Sequence, residues 1–194
     1  MTKQTATRED WLMKVTEGFR PVFDELGHKL PPVRMAIGFP STGARGKRIG
    51  ECWSDVCSGD NTHEIFIHPS IDNPMRVAGI LVHELVHAAV GIPAGHGPKF
   101  RKLAVALGLE GKMTATTEGE AFKQTAQPIL DKAGPLPHAA LSAGNNGEKK
   151  QSTRMIKCEC PCCGYTVRTS RKWIDEVGAP ICPADNERMI ADID

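Results

Sequence analysis

Between Val77 and Val90 the chain is almost wholly apolar, yet His83, Glu84 and His87 interrupt the run. No other feature constrains the fold so tightly. The run falls short of the roughly 20 residues that a bilayer-spanning helix needs, so it belongs in the core of a folded domain. Ionisable side chains in such a core are costly to bury unless they are paired or bound to a metal. Asn73-Pro74 offers an N-cap followed by proline at the first helical position, and Gly91 offers a C-terminal stop. A helix is therefore expected from about Pro74 to Val90.

The rest of the chain reads as an α+β protein. From Thr7 to Leu26, residues Trp11, Leu12, Val15, Phe19, Val22, Phe23 and Leu26 recur at three- and four-residue steps, an apolar helical stripe. Thr7 can cap it, with Asp10 completing a variant capping box, and Pro21 should bend or interrupt it. Strands are expected at 33–39, 48–53 and 64–68, with a turn or flexible loop at 41–46. A second short helix is expected over 98–107, stopping at Gly108. From about Thr114 the pattern weakens. Residues 142–152 are polar and glycine-rich with no buried face, a linker by composition. The expected organisation is a main domain at 1–141, a flexible linker at 142–153 and a small module at 154–194.

With 194 residues the chain can bury a real core. Its 24 basic and 23 acidic residues nearly balance, so bulk charge names no partner. The opening residues, MTKQTATREDW, lack the apolar stretch of a secretory signal. The seven cysteines are odd in number and five lie within 158–182. That pattern suits a metal site in a reducing compartment better than a disulfide framework. A soluble cytoplasmic protein with no membrane attachment is expected, and its oligomeric state is unknown from sequence.

His83-Glu84-Leu85-Val86-His87 is an HExxH motif. Two imidazoles one helical turn apart face the same way and can hold one Zn²⁺. The glutamate beside the first can activate a water for hydrolysis. His96 follows in Gly95-His96-Gly97-Pro98, where the glycines let the chain turn back and bring a third imidazole under the helix. His83, His87 and His96 are thus the expected ligands of a catalytic Zn²⁺ with an open fourth position, and Glu84 the expected acid/base. The competing reading makes both helical histidines hydrogen-bonded core residues and puts Glu84 on a solvated face. No helper for a tetrahedral oxyanion is identifiable, because the single tyrosine, Tyr165, lies in the cysteine-rich tail. His63, His68 and His138 are expected in hydrogen-bonded or surface roles, and Cys52 and Cys57 as buried thiols.

In the tail, Cys160-x-x-Cys163-Gly forms a zinc-knuckle turn, and Cys182-Pro-Ala-Asp185 stands where a second Cys-x-x-Cys would follow a short hairpin. A second, structural Zn²⁺ is expected on Cys160, Cys163 and Cys182. Asp185 is the candidate fourth ligand, with Cys158 or Cys162 as alternatives, and a ribbon that no longer binds metal is the competing reading. Arg168, Arg171, Lys172 and Trp173 lie between the half-sites. They mix cations with an aromatic, a composition suited to phosphate contact and base stacking. From Glu148 to Trp173 there are seven Lys/Arg and two acids, so the tail is locally basic. A solvated ribbon face would have the same composition.

HELVHAAVG, GHGPKF, GLEG and then CPCCGYTVRTSRKW together resemble the SprT-like zinc metallopeptidases, in a form common in bacteriophages and bacteria. The eukaryotic protease Spartan belongs to the same broad group. The resemblance implies a minimal zincin-like core, a small sheet packed by helices with HExxH on the active helix, followed by a C-terminal zinc-ribbon-like module. It implies His83, His87 and His96 as zinc ligands, Glu84 as acid/base, and a protein substrate, with DNA as a partner of the basic tail. Asp185 departs from the cysteine or histidine usual at its position. The expected function is a zinc-dependent endopeptidase acting on DNA-associated proteins in the cytoplasm of a bacterium or phage-infected host cell. One rival is a DNA-binding accessory protein whose zincin site is structural or vestigial. Another keeps the zinc but cuts a small amide or a phosphodiester.

Overall fold

The computed structural model of the chain describes residues 6–142 and 155–193. The chain divides into two compact units, Met1–Gly144 and Asn145–Asp194. The expected linker lies outside the described residues apart from Ser142. Both units mix helices with short strands, an α+β composition.

The first unit opens with α1 (Arg8–Glu25). Thr7 Oγ1 accepts from the Asp10 amide and the Asp10 carboxylate accepts from the Thr7 amide, both at 3.0 Å. This reciprocal cap satisfies donors that a helix start leaves unpaired. The helix runs through Pro21 without interruption. Phe19 and Phe23 are fully buried on either side, and each such side chain stabilises by about 1.5–3 kcal/mol, enough to offset one lost backbone bond.

Three strands follow: β1 (Val33–Ile37), β2 (Gly50–Trp53) and β3 (His63–Ile67). They form a sheet in the order β1-β3-β2, with β1 parallel and β2 antiparallel to β3. Met35, Ile37, Ile65 and Ile67 alternate onto the buried face. Helix α2 (Pro74–Val90) packs across β2 and β3 and touches α1. Asn73 Oδ1 accepts from the Arg76 amide at 2.9 Å, the cap that starts α2, and Gly91 ends it. After a short 3-10 turn at Ile92–Ala94 comes α3 (Pro98–Ala106).

Two features lie where the sequence pattern weakens. One is a hairpin of β4 (Leu109–Lys112) and β5 (Ala115–Glu118), and the other is α4 (Glu120–Ala133). Phe122, Ala126 and Leu130 are the buried stripe of α4, and the Phe122 ring stacks on Phe19 at 5.6 Å. Pro128 inside the helix and an N-cap glycine, Gly119, obscure this helix in the sequence.

The second unit holds β6 (Ile156–Glu159), β7 (Thr166–Thr169), α5 (Arg171–Val177) and β8 (Ile190–Ala191). The strands form an antiparallel sheet in the order β7-β6-β8. Ile156, Cys158, Cys160, Cys182 and Met189 make its small core. No helix among the described residues is long and apolar enough to cross a membrane.

Candidate metal centre

Helix α2 carries His83 and His87 on one face, and the glycine-flanked turn after it returns His96 to the same point. His83 Nε2 and His87 Nε2 each lie 3.1 Å from His96 Nε2. A neutral imidazole nitrogen has one proton or one lone pair, so His96 Nε2 cannot hydrogen-bond well to both. A cation satisfies all three lone pairs at once. Ligands about 2.05 Å from a tetrahedral zinc stand roughly 3.3 Å apart, so the spacing and the imidazole donors fit such an ion. Buried Phe100 backs the trio, its ring centroid 4.5–4.8 Å from each imidazole.

Burial keeps these imidazoles uncharged. His83 is lowered to about 3, by burial first and then by His87, His96 and Arg76. His87 is lowered to about 4 by burial and by His96. His96 is also lowered, by burial. Neutral imidazole is the form that ligates a metal. His83 Nδ1 lies 2.8 Å from Thr116 Oγ1 on β5. In turn Arg76 Nη1 donates to the Thr116 carbonyl at 2.9 Å and to Glu118 Oε1 at 2.6 Å.

Glu84 is only 6% exposed, which contradicts the competing expectation of a solvated carboxylate. α2 packs against β2, and this turns Glu84 inward. Burial pushes its carboxyl up to about 8, with Glu51 adding to the rise and Arg48 and the Cys52 amide opposing it. Gly50 leaves the space that Glu84 uses: a Cβ there would lie 2.5 Å from Glu84 Oε1 and 2.6 Å from Ile80 Cγ2. Glu51, its neighbour, accepts from the Ser41 amide at 2.6 Å and hydroxyl at 2.7 Å, and pairs with Arg48. These contacts pin the β1–β2 loop beside the site.

The three histidines and Glu84 line a cleft of about 640 Å³. Residues 49–54 line it as well, as do Thr114, Ala115 and Thr116. Trp53, Ile80 and Ile92 give it an apolar lining, and Lys47 and Arg48 supply cations. Thr116, Gly50 and the Arg76–Glu118 pair were not legible in the sequence. No spacing marks them, and each gains its role from a contact between elements.

Cys57 is exposed and Cys52 half-buried, correcting the expectation of two buried thiols. Cys57 ends a short 3-10 turn, Asp55–Cys57, that buries no side chain. Burial, and then Glu84, pushes the Cys52 thiol up to about 12, which leaves it protonated. His63 and His68 are buried, and His138 Nε2 donates to the Pro69 carbonyl at 2.9 Å.

In the second unit, ligand atoms of Cys160, Cys163, Cys182 and Asp185 all lie within 4.8 Å of one another. Asp185 Oδ2 is 3.3 Å from Cys160 Sγ and 3.6 Å from Cys182 Sγ, and Cys163 Sγ is 3.6 Å from Cys182 Sγ. Three thiols and a carboxylate suit a metal ion. Cys158, on β6, is buried in the unit's small core, and Cys162 is exposed; neither joins the group. Arg168 sits on β7 opposite Lys157. Arg171 pairs with Asp175 at 3.0 Å and Lys172 with Glu176 at 3.9 Å, both along α5. Lys172 Nζ also lies 4.8 Å from the centre of the half-exposed Trp173 ring. Residues 155–193 hold five Lys/Arg against six acids. Lys149, Lys150 and Arg154, which contribute three of the seven cations of the basic stretch Glu148–Trp173, lie outside the described residues.

Comparison with models of known protein families, with curated proteins and with solved structures finds no match.

Proposed function

We propose that this chain is a zinc-dependent endopeptidase of SprT-like type. The observation that carries the proposal is the convergence of His83, His87 and His96 Nε2 beside a buried carboxyl, that of Glu84, in one open cleft. The first unit, with α2 laid against a small sheet, fits the minimal zincin-like core that the resemblance implies. Zinc on the three imidazoles would polarise a peptide carbonyl and make water a stronger acid. Glu84 takes a proton from the attacking water on a carboxylate oxygen and returns it to the leaving nitrogen. Strand β2 lines the cleft as an edge of its sheet, and an edge strand can pair with an extended peptide.

The second unit fits a zinc-ribbon-like module with Cys160, Cys163, Cys182 and Asp185 on a structural zinc. DNA-associated proteins are the proposed substrates, with Arg168, Arg171, Lys172 and Trp173 meeting the nucleic acid. The ion pairs of Arg171 and Lys172 do not oppose this, because exposed i,i+4 pairs contribute only about 0.3–0.5 kcal/mol and exchange readily for phosphate.

The test is to incubate the zinc-loaded chain with an unfolded protein, with and without single-stranded DNA and a chelator. The expected result is cleavage that DNA accelerates and the chelator abolishes. DNA binding without cleavage in any arm would overturn the proposal in favour of an accessory DNA-binding protein.

A further inference from the structure

We propose that Thr116 is a positioning residue for the metal centre, fixing the tautomer and ring orientation of His83, and that Arg76 and Glu118 hold Thr116 in place. This rests on the metal-centre reading above. His83 Nε2 shares one point with His87 and His96, so it must present a lone pair there. The neutral ring then carries its proton on Nδ1, and Nδ1–H donates to Thr116 Oγ1 at 2.8 Å. Thr116 is only 4% exposed, so water does not readily replace its hydroxyl. Among the hydrogen bonds of the described residues, neither His87 nor His96 has such a partner on Nδ1.

Thr116 is itself anchored through its backbone carbonyl. Arg76 Nη1 reaches across from α2 to the Thr116 carbonyl and to Glu118 Oε1. Glu118 closes on α2 at Gly79, where a Cβ would lie 2.0 Å from Glu118 Oε1. Helix α2 therefore grips β5 at two levels two turns apart, through Arg76 and through His83. The β4–β5 hairpin orients a ligand as well as forming one wall of the cleft. Loss of an outer-shell partner of this kind weakens metal binding by about 10–100-fold.

Zinc affinity of the full chain, measured by competition with a chromophoric chelator, tests this without any substrate. Thr116→Val keeps the shape and removes the acceptor, and it should weaken binding about tenfold or more. Thr116→Ser, which keeps the hydroxyl, should retain most of the affinity. A zinc-binding parent matched by Thr116→Val overturns this inference alone, as does an equal loss in Thr116→Ser. A parent that binds no zinc overturns the metal-centre reading and the inference with it. Should Thr116→Val fail to fold, nitrogen-15 spectra of the zinc-loaded parent decide: the His83 proton belongs on Nδ1, slow to exchange relative to that of His87. A ring protonated on Nε2 overturns the proposal.

Discussion

At Gly50 a single missing Cβ decides where Glu84 can stand. Gly50→Ala forces the new methyl against the Glu84 carboxyl and Ile80. It should lower stability by about 1–3 kcal/mol in urea unfolding and reduce peptide hydrolysis more than zinc affinity. Glu51, next along β2, gives a pH signature. Burial works to raise its pKa, but the hydrogen bonds from Ser41 and the charge of Arg48 outweigh it, and the net shift is downward. A folded-state pKa below the unfolded value adds stability above that value, about 4.3, and the contribution is lost as pH falls through the depressed value. Glu51→Gln should therefore destabilise the chain at neutral pH, with the difference from the parent shrinking below about pH 4 in parallel unfolding curves. His83, Glu84 and His87 could be picked out because a three-residue gap on a helix carries its own geometry, and His96 because its flanking glycines mark a turn. Thr116 could not, because its link to His83 spans 33 residues and depends on how the hairpin meets α2.

At the scale of elements, capping and periodicity were readable and proline effects were not. The starts of α1 and α2 follow from Thr7 and Asn73, whose side chains accept the amides that each helix leaves free. Both Pro21 and Pro128 sit inside helices that continue past them. A proline in a helix interior costs roughly 3 kcal/mol relative to alanine, and burial of Phe19, Phe23, Phe122 and Leu130 outweighs it. Pro128 is exposed, so Pro128→Ala should raise stability by about 1–3 kcal/mol, visible as a higher Tm. An unchanged or lower Tm would show that the proline is accommodated without penalty. The β4–β5 hairpin escaped the sequence because its strands are four residues each and their pairing face is mostly polar.

At the scale of the molecule, two units of unequal size rely on different forces. The first buries a large apolar cluster that includes Trp11, Phe19, Phe23, Phe100 and Phe122. Among its described residues the second buries little beyond Ile156, Met189 and three cysteines, too little for a module this small to be stable without a staple. A metal on Cys160, Cys163, Cys182 and Asp185 would supply that staple. A strong chelator should therefore collapse the amide dispersion of residues 155–193 while leaving that of the first unit, and Asp185→Cys should raise the chelator concentration required. Hydrolysis belongs to the proposed role of Glu84 in the first unit, and Glu84→Gln separates that role from metal binding. Zinc content and cleavage of an unfolded protein are measured together in parent and variant. The expected variant folds and holds zinc as the parent does while hydrolysis falls by at least about 100-fold. A variant that cleaves as fast as the parent would contradict that role.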